Sequence, residues 1–122
     1  MTTPIKNFSS NIFVGQYCCS LDGVRFSIPS EWRYVFRDKG GIFVVALPDG
    51  RLVLATKEIL EKSSDIEVLN AVYCKMDSRG RIIMPKVFRR MFKEVKDVVL
   101  CGSIHYVEVR GVKNIRKEMN RQ

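Results

Sequence analysis

The chain has 122 residues, with 21 Lys+Arg against 13 Asp+Glu, four Cys and one His. That length suits one compact domain or two small units sharing a core, and 46% apolar with 28% charged residues excludes a disordered chain. The net charge of +8 lies wholly in residues 75–122, which hold 13 basic and 5 acidic side chains, while residues 1–74 hold 8 of each.

In chain order, Met1 to Ser10 is polar and has no signal-peptide core. A pattern then begins at Leu21-Asp22-Gly23-Val24-Arg25-Phe26-Ser27-Ile28-Pro29-Ser30-Glu31-Trp32-Arg33. It reads apolar, Asp, turn, Arg, short strand, Pro, short helix. Pro29 presets φ for the first helical position, and Trp32, Val35 and Phe36 form the apolar stripe of a short amphipathic helix. Ile42-Phe43-Val44-Val45 and Leu52-Val53-Leu54 read as strands. The longest apolar run, Ile42 to Leu47, falls far short of the ~20 residues of a membrane-spanning helix.

From Thr56 to Asn70 the chain reads as a helical linker. Thr56 caps a short helix carrying Ile59 and Leu60, and Ser64-Asp65-Ile66-Glu67 has capping-box spacing for another. The pattern then returns as Met76-Asp77-Ser78-Arg79-Gly80-Arg81-Ile82-Ile83-Met84-Pro85-Lys86-Val87-Phe88-Arg89. Its prolines are 56 apart and its aspartates 55, so the first copy is one residue shorter between Asp and Arg. Phe88, Met91 and Phe92 repeat the helix stripe, Val98-Val99-Leu100-Cys101 the third strand, and Val107-Glu108-Val109 the fourth. A basic tail, 111–122, places Val112, Ile115 and Met119 on one helical face.

The units implied are a first repeat (13–55), the linker (56–70), a second repeat (71–110) and the tail (111–122). Four short strands and one small helix hold too little core to stand alone. Two copies packed across a pseudo-two-fold axis share one, giving a mainly β, small barrel-like fold with short helices of the α+β class.

The cysteines, Cys18, Cys19, Cys74 and Cys101, include no Cys-x-x-Cys and read as buried free thiols, the adjacent Cys18 and Cys19 without a role. They and His105 do not make a zinc set, so no metal or cofactor is expected. No Walker loop, dinucleotide fingerprint or carboxylate pair is present, and catalysis, a small-molecule substrate and membrane attachment are not expected. The reading places the protein in the cytoplasm.

The charge asymmetry points to a polyanion. The loop between paired strands is the natural place for a basic reader. In the second copy it runs from Lys75 to Arg81. Gly80 permits a tight turn, Arg79 sits at the tip, and Lys75 supplies a phosphate contact. Asp77 and Arg81 bracket the turn, so for Arg81 an internal ion pair competes with DNA contact. In the first copy only Arg25 occupies the equivalent place, after Asp22. Lys86, Arg89, Arg90 and Lys93 share one side of an α-helix, which makes Lys86 and Arg89 further phosphate candidates. Arg33 and Arg89 occupy equivalent positions, with stems on the core and heads outside.

Phe13-Val14-Gly15-Gln16-Tyr17 with Leu21-Asp22, the Asp77-to-Arg81 Asp-x-x-x-Arg, Gly80 to Pro85, and Cys101-Gly102 through Glu108 resemble the MraZ family over residues 13 to 110. The resemblance implies tandem SpoVT/AbrB-type units in a swapped-hairpin (double-split) barrel and a closed homo-oligomeric ring. It also implies transcriptional regulation, usually repression, through repeated boxes in double-stranded promoter DNA before the division and cell-wall genes. The first copy departs from the family loop, being one residue short with Val24 where the family carries a basic residue. That departure keeps a rival open, an oligomeric interaction scaffold of the same fold with decayed DNA reading. A generic AbrB-type regulator is a further alternative.

Overall fold

The computed structural model describes residues 13–62 and 70–112. The capping-box helix expected near Ser64 and the tail helix expected beyond residue 112 lie outside the described residues. Eight strands are present: β1 (Gln16–Ser20), β2 (Arg25–Ser27), β3 (Ile42–Ala46), β4 (Leu52–Thr56), β5 (Asn70–Cys74), β6 (Arg81–Ile83), β7 (Asp97–Gly102) and β8 (Val107–Val112). Helix α1 (Ser30–Asp38) follows β2, α2 (Lys57–Lys62) follows β4, and a 3₁₀ helix (Lys86–Phe92) follows β6.

The strand order shows how the duplication folds. Six strands form one antiparallel sheet in the order β1-β7-β8-β4-β3-β5, and β2 pairs with β6 in a separate ribbon. Exchanging each strand of one copy for its equivalent in the other reproduces the same order read backwards. Each copy's first strand thus leaves its own hairpin and pairs with the third strand of the other copy, β1 with β7 and β5 with β3. Two cross-strand pairs join equivalent residues and mark the pseudo-two-fold axis: Phe26 opposite Ile82, and Val53 opposite Glu108.

One core serves both copies. Phe26 and Ile82 of the ribbon, Ile42, Val44, Leu52 and Leu54 of one hairpin, and Val98, Leu100, Val107 and Val109 of the other bury into it together. Trp32, Val35 and Phe36 of α1 join them, as the helical stripe requires. On the sheet's other face Val45, Leu47, Val53 and Ala55 form a smaller cluster under Ile59 and Leu60 of α2. Thr56 caps that helix, its Oγ1 accepting from the Ile59 N–H at 3.1 Å.

Four expectations are corrected. The sheet does not close into a full hydrogen-bonded barrel: among the described residues β1 and β5 each have one partner, and the β2/β6 ribbon covers the core between them. The prolines are N-caps with extended ψ (139° and 144°), and the helices start one residue later. The second helix is 3₁₀, and Met91 is exposed. In α1 the chain leaves through Gly40 and Gly41, and the Gly41 N–H reaches back to the Phe36 carbonyl, a glycine-dependent C-cap. The second copy has Lys96 and Asp97 there, and its chain leaves the helix earlier, through Glu94 at φ +65°, with the Val95 N–H bonded to the Phe92 carbonyl. Finally, of the four thiols only Cys74 is buried: Cys101 is half-buried, and Cys18 is exposed and Cys19 half-buried because neighbours on an edge strand point to opposite faces.

Candidate nucleic-acid interface

The two hairpin loops differ in type, and the missing residue is the cause. In the second copy the Asp77 N–H donates to the Arg81 carbonyl (2.9 Å) and the Gly80 N–H to the Asp77 carbonyl (3.0 Å). Three residues, Ser78, Arg79 and Gly80, make the loop, and Gly80 takes φ +79°. This is the turn-plus-bulge hairpin that needs a left-handed residue at its third position. In the first copy Asp22 and Arg25 exchange both backbone bonds (2.8 and 3.1 Å) around Gly23 and Val24 alone. Gly23 has φ +68° and Val24 does not, which gives the two-residue turn with glycine first.

Asp77 organises its loop. Its Oδ1 accepts from the backbone N–H of Arg79 and of Arg81, each at 2.9 Å, and its Oδ2 accepts from the Arg81 Nε at 2.9 Å. The Arg81 N–H foremost, with the Arg81 guanidinium and the Arg79 N–H, holds the Asp77 carboxyl below the usual carboxylate range, against a smaller opposing effect of burial. Arg81 is therefore engaged in the ion pair that competed with DNA contact. Arg79 is exposed at the tip and has no side-chain partner among the described residues. A guanidinium held on a rigid turn with all five donors available suits bidentate contact with phosphate or guanine.

The ribbon links the two loops. Arg25 lies opposite Ile83 and Ser27 opposite Arg81, so these four side chains share the face turned away from Phe26 and Ile82. Each loop is also tied to the other copy. The Ile28 N–H donates to the Gly80 carbonyl at 2.8 Å, and the Met84 N–H to the Val24 carbonyl at 2.7 Å. Lys75 is exposed directly before the loop.

Each helix arginine bonds backbone of its own copy. Arg33 donates its Nε to the Ile28 carbonyl at 2.7 Å, and Arg89 donates to the Met84 carbonyl at 2.9 Å. These are equivalent bonds, each locking the residue before a helix-capping proline. Arg33 also lies against Gly80, where a Cβ would run into its guanidinium. Sequence reasoning missed this support of one copy's loop by the other copy's helix, although the equivalent spacing of Arg33 and Arg89 carried the signal. The proposed basic side of the second helix also changes. In a 3₁₀ helix residues i and i+3 eclipse, so Lys86 and Arg89 fall in one row and Arg90 and Lys93 in another. Lys86 remains exposed.

Among the described residues no three His, Cys, Asp or Glu side chains could share a metal ion, and no helix is long and apolar enough to cross a membrane.

Fold and site together define a duplicated strand–loop–strand–helix unit whose copies exchange strands around one core and present a charged hairpin loop. Two comparisons with known proteins bear on its family. The family model described as "MraZ protein, putative antitoxin-like" matches residues 68–117, which include the longer loop. The "Transcriptional regulator MraZ" of Pediococcus pentosaceus is 34% identical over 114 residues, covering 80% of each chain. The chain belongs to the MraZ family.

Proposed function

We propose that this protein is a sequence-specific, non-enzymatic DNA-binding transcriptional regulator, with two repeats (13–55 and 71–110) joined by the 56–70 linker. The observation that carries the reading is Arg79, exposed and unpartnered among the described residues, on a turn that Asp77 fixes at three points. Lys75 and Lys86 add phosphate contacts, and Arg25 a weaker one from the two-residue loop. Arg81 and Arg89 act first as supports of the reading face. The relative named as a transcriptional regulator supports the same reading.

In its finer form the regulator represses the division and cell-wall genes through repeated promoter boxes, as a closed ring in the cytoplasm at the nucleoid. One loop makes few contacts. Several loops on one rim act at high effective concentration and let a weak single module hold a tandem site.

The test is equilibrium binding of the full chain to its own upstream DNA and to a scrambled duplex over a range of salt. A preference for the upstream DNA, with affinity falling as salt rises, is the expected result. No retention on the upstream DNA near physiological salt refutes the regulator and favours the scaffold, which the short, nearly neutral first loop motivates.

A further inference from the structure

A surface cleft of about 270 Å³ opens between the end of α1 and the end of β5, beside the second copy's loop. Arg37 and Lys75 are its charged lining residues, with Gly40, Gly41, Tyr73 and Met76 around them, and no carboxylate lines it. Both cations are exposed, and among the described residues neither forms an ion pair. The helix end would ordinarily repel an anion. Two of its last four carbonyls, those of Val35 and Phe36, are occupied by the Lys39 and Gly41 N–H groups, which lessens that effect, and the Arg37 and Lys75 charges outweigh the remainder.

The duplication supplies an internal control. In the other copy the positions of Arg37, Gly40, Gly41 and Lys75 are held by Lys93, Lys96, Asp97 and Ser20. There the Asp97 carboxylate accepts from the Ser20 hydroxyl at 3.2 Å. The equivalent place thus sets one carboxylate among the cations Lys93 and Lys96, whereas the Arg37–Lys75 cleft has two cations and no carboxylate.

We propose that the Arg37–Lys75 cleft receives a phosphate of the DNA backbone, so that the first copy contributes a positioning contact next to the second copy's reading loop; this rests on the DNA-binding reading above. The spacing suits it. Lys75 and Arg79 are four residues apart, at most about 13 Å of extended chain. That is about the rise of four nucleotides at 3.4 Å each, so one short stretch of duplex meets both. Two point contacts on a phosphate carry no sequence information, so the cleft sets register and the loop reads.

The same chemistry could hold a free phosphate, and the experiment separates the two sources. Arg37→Gln, at an exposed helix end, is compared with the unchanged protein on upstream and scrambled duplexes across salt, with thermal unfolding as the check on folding. The expected result is weaker binding to both duplexes and a log K against log salt slope shallower by about 0.9. Between 50 and 200 mM salt that is about a 3.5-fold smaller loss of affinity. Arg37→Lys restores the slope, because a point charge suffices for a phosphate. An unchanged slope in Arg37→Gln, with binding still weakened by Arg79→Ala, overturns the cleft and leaves the DNA reading intact. Failure of the unchanged protein to bind any duplex overturns both. Saturable binding of inorganic phosphate to the DNA-free protein, lost in Arg37→Gln while the DNA slope stays put, reassigns the cleft to a free anion and overturns the proposal.

Discussion

Gly80→Ala tests how the two copies support one hairpin loop. Gly80 has φ +79°, a conformation that costs an L-residue about 1–2 kcal/mol. The new Cβ would also meet the Arg33 guanidinium, whose Nε is bonded to the Ile28 carbonyl at 2.7 Å. Moving Arg33 aside breaks that bond and costs about 1 kcal/mol more. Gly80→Ala should therefore destabilise the protein by about 2–3 kcal/mol, a fall in Tm of very roughly 10 °C for a chain of this size. The diagnostic is non-additivity. Arg33→Ala has already removed both the obstacle and the hydrogen bond, so adding Gly80→Ala to it should cost only the backbone part. The double variant should then be about 1 kcal/mol less destabilised than the sum of the singles, beyond the ~0.5 kcal/mol scatter of independent sites. Urea unfolding of the four proteins measures this. Additive effects would show that Arg33 does not prop the loop and would refute the reasoning.

Two further outcomes follow from the titrating groups. Asp77 is held below the ordinary carboxylate value of about 3.9, so its support of the loop is fully present above that value and fades as pH falls through the lower, folded-state one. NMR titration should place its midpoint below 3.9, with the Arg79 and Arg81 amide shifts moving together at that midpoint; a midpoint at or above 3.9 contradicts the three-bond turn. Burial pushes the Cys74 thiol up to about 11, while Cys18 is exposed. Iodoacetamide at pH 7.5 with peptide mass spectrometry should find Cys18 modified in the folded protein and Cys74 only after unfolding, and early modification of Cys74 would contradict its placement.

Much of this was legible in the sequence because duplication is a pattern, not a propensity. The Asp–Arg–Pro spacing and the aromatic stripe at Trp32 repeat visibly, and the β-branched runs give β3, β4, β7 and β8 their positions. The ion pair of Asp77 and Arg81 was also readable, since the two residues bracket a turn. What the sequence hid depends on relations between the copies. That Arg33 would lie against Gly80 follows from the strand exchange, not from any local signal. The 3₁₀ form of the second helix has no local signal either, since its apolar stripe, Phe88, Met91 and Phe92, copies that of α1. The exposure of Cys18 depends on β1 being an edge strand with one covered face. The missing residue in the first loop was visible, but its consequence, a change from a three-residue to a two-residue turn, needed the backbone bonds of Asp22 and Arg25.

In the proposed function the two copies are unequal readers, and the second loop dominates. The most direct test measures Arg79→Ala and Arg25→Ala side by side on the upstream duplex at one salt concentration. Losing a good guanidinium contact costs about 1–3 kcal/mol, so Arg79→Ala should weaken binding by about 5- to 150-fold, and Arg25→Ala by clearly less. An Arg25→Ala defect equal to or larger than that of Arg79→Ala, or no defect from Arg79→Ala, contradicts the account.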